Sequence, residues 1–295
     1  MENELKHIFY KFSVPVREQD ILIRKRKQVV KEKVRQFNKP DSVFKDWKED
    51  NPTLLSKSFM KDIKYWKVKR LAKDENEYND IIQVFLKYIV KLKHVYIDLI
   101  SSSTFPTISS TDFINYCNRV GFIDKKMPLS LIDTIFVNTN YELEDHNDQN
   151  PNRELCRYEF YEILLRIAKA KYKDQGVCSN LSESLELLIK DLVIPNSHPG
   201  KWQEFRDRKL WTIEVNDIFF VNLSQLRRIY NNITFEDAIR LMTKRLKTGL
   251  SESQAVYCYG MSKMTIMNEM GKTQTKTNTY WRLQFVEFLE YIGRC

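Results

Sequence analysis

Oxygen-bearing side chains recur at alternate positions in the stretch DQNPNRELCRYEF. Asp148, Asn150 and Asn152 stand two residues apart, and Glu154 and Glu159 follow in the same stretch. Carboxylate and amide oxygens are the ligands that a hard cation such as calcium prefers. At this point the pattern leaves three interpretations open: a calcium loop, the remnant of one, or a polar turn before an unrelated helix.

Other chemistries lack residues at the spacing they require. None of the four histidines has a metal-binding partner three or four residues away, and the five cysteines contain no CxxC pair. Glycine-rich phosphate-binding, dinucleotide-binding and nucleophile-elbow motifs are missing as well. These observations predict a protein that is not an enzyme. The odd number of scattered cysteines predicts free thiols in a reduced, intracellular environment.

Helices must position the polar side chains, because only 7 glycines and 8 prolines interrupt the 295 residues. Residues 82–99 carry one apolar stripe at the helical period. Further helices are expected over residues 112–120, after Pro128, through RYEFYEILLRIAKAKY, and from a cap at Asn180. The stretch IPNSHPGKW (194–202) predicts a domain boundary. The sequence therefore predicts an all-α fold.

Two segments of the chain share a pattern at offsets of 125 to 134 residues. The motif L-x-x-x-E-F begins at Leu155 and again at Leu283. Upstream, LKHVY matches LRRIY and ISSTDFI matches ITFEDAI. These matches predict one helical unit that occurs twice, over residues 82–172 and 213–295.

Repeated helix–loop–helix elements that end in L-x-x-x-E-F resemble a pair of EF-hands that occurs twice, over about three-quarters of the chain. In that family the eighth loop residue forms a short β bridge with the partner hand, and the twelfth is a glutamate that binds calcium. The resemblance assigns these roles to Leu155 and Glu159. The remaining candidate calcium ligands are Asp148, Asn150, Asn152 and Glu154.

The loop between Asp148 and Glu159 departs from the calcium-binding pattern. Arg153 occupies the sixth position, where the backbone requires the positive φ that glycine adopts at least cost. The other three loops also lack expected calcium ligands. The first has Ser101 and Ser103 in place of carboxylates, the third is reduced to two residues after Tyr230, and the fourth has Lys276 where an aspartate is needed. We therefore favour helix–loop–helix pairs that are kept as packing units, with no cofactor. Calcium in the Asp148–Glu159 loop is the alternative.

Longer stretches of the sequence resemble one particular group of EF-hand proteins. NPNRELCRYEFYEILLRIAKAKY and FVEFLEYIGR resemble the EF-hand proteins of protist cilia and flagella, and KWQEFRDRKLWTIEVNDIFFVNLSQLRRIY resembles the linking segment of that group. The resemblance implies a structural or calcium-responsive component of the ciliary axoneme, located in the cytoplasm and cytoskeleton.

Positive charge is concentrated near the N-terminus. The net charge is +9, whereas residues 1–73 alone carry +10. Such asymmetry predicts an acidic partner, for which the resemblance implies tubulin in the microtubule or another axonemal protein. The candidate contact residues are Arg24, Lys25, Arg26, Lys27, Lys64, Trp66, Lys67, Lys69 and Arg70. The aromatic rings among lysines in KYWKVKRL leave nucleic acid as an alternative partner.

Four segments are expected along the chain. They are a basic N-terminal arm (1–75), a first degenerate EF-hand pair (76–175), a helical linker (176–212) and a second pair (213–295). The arm has too little apolar content to form a core alone, so we expect it to fold back on the body or lie along a partner. No apolar run reaches the ~20 residues of a membrane helix. The predicted function is a non-catalytic structural adaptor, with a calcium-sensing regulator and a nucleic-acid-binding protein as alternatives.

Overall fold

Helices dominate the part of the chain that the computed structural model describes, which is residues 35–141, 153–270 and 280–295. The fold is all-α, as predicted from the sequence. A single short strand pair lies within the described ranges, formed by β1 (Ile108–Ser109) and β2 (Glu154–Leu155). None of the helices in these ranges combines the length and the apolarity needed to cross a membrane.

The α-helices follow one another throughout the described residues. In chain order they are α1 (Pro52–Asp62), α2 (Glu75–Ser101), α3 (Ser110–Val120), α4 (Leu129–Asn140), α5 (Arg157–Ala168), α6 (Leu181–Leu188), α7 (Trp202–Phe205), α8 (Ile213–Val221), α9 (Leu223–Tyr230), α10 (Phe235–Arg240), α11 (Glu252–Met261) and α12 (Phe285–Arg294). Short 3₁₀ turns occur at Lys39–Asp41, Ile63–Tyr65 and Val68–Arg70. Wider π turns extend four helices: α5 by Lys169–Lys173, α6 by Ile189–Val193, α7 by Arg206–Leu210 and α10 by Leu241–Arg245. The α6 extension ends in one more helical turn, Ile194–Asn196.

Local caps fix where several of these helices begin. Asn180 accepts the backbone N–H of Glu183 at 2.7 Å and starts α6, as its spacing predicts. Pro128 directly precedes α4. The helix predicted over residues 82–99 is α2, and it begins earlier than predicted because Asp74 caps its first turn.

The chain forms two compact units, and each is built from separate stretches of sequence. Unit 1 consists of Met1–Trp47, Lys201–Ala255 and Arg282–Cys295, and unit 2 consists of Lys48–Gly200 and Val256–Trp281. The boundary between Gly200 and Lys201 falls inside the predicted IPNSHPGKW stretch. The other boundaries do not follow the four expected segments, because residues 48–75 belong to unit 2.

Aromatic residues from α1 and the turn after it are part of the core of unit 2. The Phe59 ring centroid lies 5.5 Å from that of Phe85 and 5.4 Å from that of Tyr161. Trp66, seven residues after Phe59, lies 5.2 Å from Phe85, and its indole N–H donates to the Tyr158 carbonyl at 2.9 Å. Residues 48–75 of the predicted arm therefore fold back on the body, one of the two expected arrangements, and their apolar side chains pack against α2 and α5.

Unit 1 packs around α12. The hydroxyl of Tyr291 on this helix donates to the Ala238 carbonyl in α10 at 3.1 Å. Phe44 also enters the core of this unit, where its ring centroid lies 5.8 Å from that of Phe219 in α8. Residues before α1 therefore contribute to the packing of unit 1.

Candidate functional site

The loops that precede α3 and α5 meet in the strand pair of unit 2. Ile108 pairs with Leu155, and Ser109 pairs with Glu154, in an antiparallel register. Ile108 and Leu155 are both fully buried. Leu155 thus forms the kind of bridge that the resemblance assigned to it, and the pairing joins the two loops into one element.

Hydrogen bonds between side chains close the loop at residues 101–112 from within. The hydroxyls of Ser103 and Ser109 both donate to Oδ2 of Asp112 at 2.6 Å. The backbone N–H of Asp112 donates to Oγ of Ser109 at 3.2 Å, which caps α3. The two serines therefore provide the Asp112 carboxylate with hydrogen-bond donors where a calcium loop would provide a cation.

Glu159 is fully buried, and neighbouring groups engage its carboxylate. Oε2 accepts the backbone N–H of Cys156 at 3.1 Å, and Oε1 accepts the side-chain amide of Asn140 at 3.3 Å. Glu154 accepts the hydroxyl of Thr107. Both of these predicted ligands act as hydrogen-bond acceptors that hold the loop pair together.

Arg153 adopts a φ of +66°, the left-handed conformation expected at its loop position. Its backbone N–H donates to Oδ1 of Asn140 at 2.7 Å, and its carbonyl accepts from Ser110 at 3.2 Å. These bonds hold a bulky residue in a conformation that costs it about 1–2 kcal/mol. The remaining predicted ligands, Asp148, Asn150 and Asn152, lie outside the described residues. Within the described ranges, no group of three or more His, Cys, Asp or Glu side chains could hold a metal ion.

Unit 1 repeats this hydrogen bonding at the positions that the sequence alignment matches to unit 2. Thr234 pairs with Arg282 in an antiparallel bridge, as Ser109 pairs with Glu154. The Thr234 hydroxyl donates to Asp237 at 2.8 Å, in the way that Ser109 donates to Asp112. The backbone N–H of Gln284 donates to Glu287 at 2.7 Å, as that of Cys156 does to Glu159. The repeated pattern in the sequence therefore corresponds to a repeated local structure.

A further buried glutamate repeats one turn after the first. Oε1 of Glu162 lies 2.7 Å from the Arg166 guanidinium in unit 2, and Oε1 of Glu290 lies 2.7 Å from that of Arg294 in unit 1. Both glutamates are fully buried. Glu290 and Arg294 stand 128 residues after Glu162 and Arg166, as Leu283 does after Leu155. Their spacing of four residues, with the acid first, was the available signal for an ion pair within a helix.

A buried charge cluster surrounds Arg157 at the start of α5. Its guanidinium donates to both carboxylate oxygens of Asp62, at 2.6 and 3.0 Å, and lies 3.3 Å from Glu269. The Tyr280 hydroxyl donates to Glu269. Burial raises the pKa of the Asp62 and Glu269 carboxyls above the usual range and raises that of Tyr280 well above it. The cluster ties α1, α5 and the 256–281 segment together inside unit 2, and no motif in the sequence indicated it.

The predicted contact residues lie partly in the core and partly at the surface. Arg24, Lys25, Arg26 and Lys27 lie outside the described residues. Trp66 is only 8% exposed, and its ring centroid lies 5.4 Å from that of Phe59 in the core, so its burial argues against the predicted partner contact. The Lys67 ammonium donates to the carbonyls of Thr139 and Tyr141, at the C-terminal end of α4. Lys64, Lys69 and Arg70 are exposed.

Comparison with known proteins assigns no family. No protein-family model, curated protein or solved structure matches the chain. A function for the chain is therefore inferred from its sequence and from the geometry of the site.

Proposed function

We propose that this protein is a non-catalytic structural adaptor of the ciliary axoneme, in which degenerate EF-hand pairs serve as rigid packing units. The closure of the 101–112 loop supports this most strongly. Ser103 and Ser109 both donate to Asp112, so hydrogen bonds between side chains of the loop hold it closed. The axonemal location comes from the sequence resemblance, and the positive charge supports an acidic partner such as tubulin.

Loop closure by hydrogen bonds favours an adaptor over a sensor. A sensor loop changes its helix packing when calcium binds or leaves. In this protein the equivalent bonds are made by serine, threonine and backbone donors in both units. None of these bonds requires a cation, which favours loop pairs that keep one shape against which a partner can bind.

The environment of the aromatic rings favours a protein partner over nucleic acid. Tyr65 and Trp66 suggested single-stranded nucleic acid because exposed rings can stack on bases. The Tyr65 hydroxyl donates to the Met270 carbonyl at 2.9 Å, and its ring centroid lies 5.8 Å from that of Tyr158. Trp66 is buried. With both rings packed against the protein, the exposed lysines nearby are better suited to the carboxylates of another protein.

A sedimentation experiment tests the adaptor function. We expect the purified full-length chain to pellet with stabilised microtubules at low ionic strength. Added salt should release part of it, because screening shortens the reach of exposed charges to about 8 Å near 0.15 M. The control is the purified chain centrifuged without microtubules. A chain that stays in the supernatant with microtubules at low salt would contradict the proposal.

One observation favours the alternative of a calcium sensor. The positive φ of Arg153 shows that the backbone already makes the turn that a calcium loop needs. We nevertheless expect calorimetry to detect weak calcium binding or none, because Glu159 would have to give up its bonds to Cys156 and Asn140. A micromolar dissociation constant that Glu159→Gln abolishes would replace the adaptor with the sensor.

A further inference from the structure

Much of the basic excess lies in one ordered stretch of unit 2. Pro52–Lys73 contains seven Lys or Arg residues and one acid, Asp62. Asp62 is 2% exposed and binds Arg157, so it does not offset the surface charge. The stretch therefore presents fixed positive charge on the folded surface.

Three of these lysines lie on one face of α1 and the turn after it. Lys57, Lys61 and Lys64 follow one another at intervals of four and three residues, which places them on the same side of a helix. Leu55 and Phe59 point to the opposite, buried side. The helical rise of 1.5 Å per residue separates the first and last lysine by about 10 Å. All three are exposed, and within the described ranges none of them forms a salt bridge.

An apolar side chain lies among these ammonium groups. Met60 is 44% exposed and is next to Lys61 in the chain. A flexible thioether can adapt to different apolar partners. The face thus combines charge, which attracts an acidic segment, with an apolar contact that salt does not screen.

We propose that the face formed by Lys57, Met60, Lys61 and Lys64 is the docking site for an acidic polypeptide segment of a partner protein. Carboxylates along that segment pair with the three ammonium groups over about 10 Å, and one of its apolar side chains contacts Met60. Lys69 and Arg70, both exposed, extend the positive surface beyond this face. The inference rests on the proposed adaptor function and identifies its contact surface.

Binding of a labelled decaglutamate peptide to the full-length chain, measured by fluorescence anisotropy at low salt, tests the site. The triple variant Lys57→Glu, Lys61→Glu, Lys64→Glu should weaken binding at least about tenfold. The matched control reverses Lys91, Lys125 and Lys126 to Glu, which changes the net charge equally at exposed positions elsewhere on unit 2. It should change binding by less than about twofold. Equal losses in both variants, or no binding by the unmodified chain, would overturn the proposal.

A second probe distinguishes the class of partner. A single-stranded oligonucleotide with ten phosphates should bind more weakly than the peptide, because Trp66 is not available for stacking. Tighter binding of the oligonucleotide, lost in the α1 triple variant, would reject the polypeptide assignment. Met60→Ser should leave the low-salt peptide affinity almost unchanged and weaken pelleting with microtubules at high salt.

The two proposals can fail separately. If the full-length chain and both triple variants pellet equally with microtubules, the α1 face is wrong and the adaptor function stands. If the α1 variant alone loses the peptide and the full-length chain never pellets, the docking face stands and the axonemal function fails. Circular dichroism of each variant shows whether its fold is intact.

Discussion

At the scale of single residues, unit 2 buries two carboxylates around one guanidinium. Arg157 is bound to Asp62 through two hydrogen bonds and lies 3.3 Å from Glu269. Removing one partner from a buried pair is usually more destabilising than replacing the pair by apolar residues, because an uncompensated charge is left behind. The second carboxylate in this cluster is such an excess charge, and burial raises its pKa.

This cluster predicts a dependence of stability on pH. Burial raises the pKa of Glu269 and Asp62, so the folded protein retains a proton that the unfolded chain releases. The resulting stability is present below the unfolded pKa values and is lost as pH rises through the folded ones. We therefore expect the midpoint of urea denaturation to fall as the pH rises above the usual carboxylate pKa of about 4, and Glu269→Gln to reduce that slope.

A pH window above the usual carboxylate pKa separates this effect from that of ion pairs whose contribution to stability changes with pH in the opposite direction. The hydrogen bond from Lys171 holds the pKa of Asp124 below its usual range. The stability from that pair is present at higher pH and is lost only as pH falls through the lowered pKa, below the window. A flat midpoint in the unmodified protein, or an unchanged slope in the Gln variant, would show that the cluster does not titrate in this range.

At the scale of elements, the paired loops determine the arrangement of α3 and α5. Leu155 is fully buried opposite Ile108, and Leu283 is 2% exposed in unit 1. Leu155→Asp places an unpaired charge in the core, so we expect a loss of about 3 kcal/mol or more in the free energy of unfolding. Leu129→Asp, at a leucine that is 44% exposed on α4, should change it by about 0.5 kcal/mol or less. Chemical denaturation measures both, and similar losses would contradict the buried bridge.

At the scale of the whole molecule, each unit is assembled from stretches that are distant in sequence. Unit 2 buries Phe59 and Trp66, which lie within the predicted basic arm. We therefore predict that deletion of residues 1–73 abolishes cooperative unfolding of unit 2, because Phe85 and Tyr161 lose their aromatic neighbours. Differential scanning calorimetry measures this directly.

Deletion of residues 1–34 is the control for the longer truncation. That shorter form retains Phe44, Phe59, Trp66 and the other described core residues. We expect it to unfold cooperatively, like the full-length protein. A cooperative transition of unchanged enthalpy after removal of residues 1–73 would mean that α1 is dispensable for unit 2.

Local features of this protein could be predicted from the sequence because they depend on residues within one or two helical turns. The apolar stripe of α2, the Asn180 cap and the Pro128 boundary are set by backbone geometry and short-range hydrogen bonds. The internal repeat also indicated Leu155 as a bridging residue. The Ser109 and Asp112 pair could have been recognised from its capping spacing.

Which of these local elements pack together depends on contacts between residues that are far apart in the sequence. Asp62 and Arg157 are 95 positions apart, and Trp66 is 92 positions from the carbonyl that it binds. No local period encodes such contacts, since they depend on which helix faces meet when the chain closes on itself. For the same reason, counting charges located the basic region of the sequence but could not tell its surface residues from its core residues. The packing of the helices leaves Lys57 and Lys61 at the surface and places Trp66 in the core.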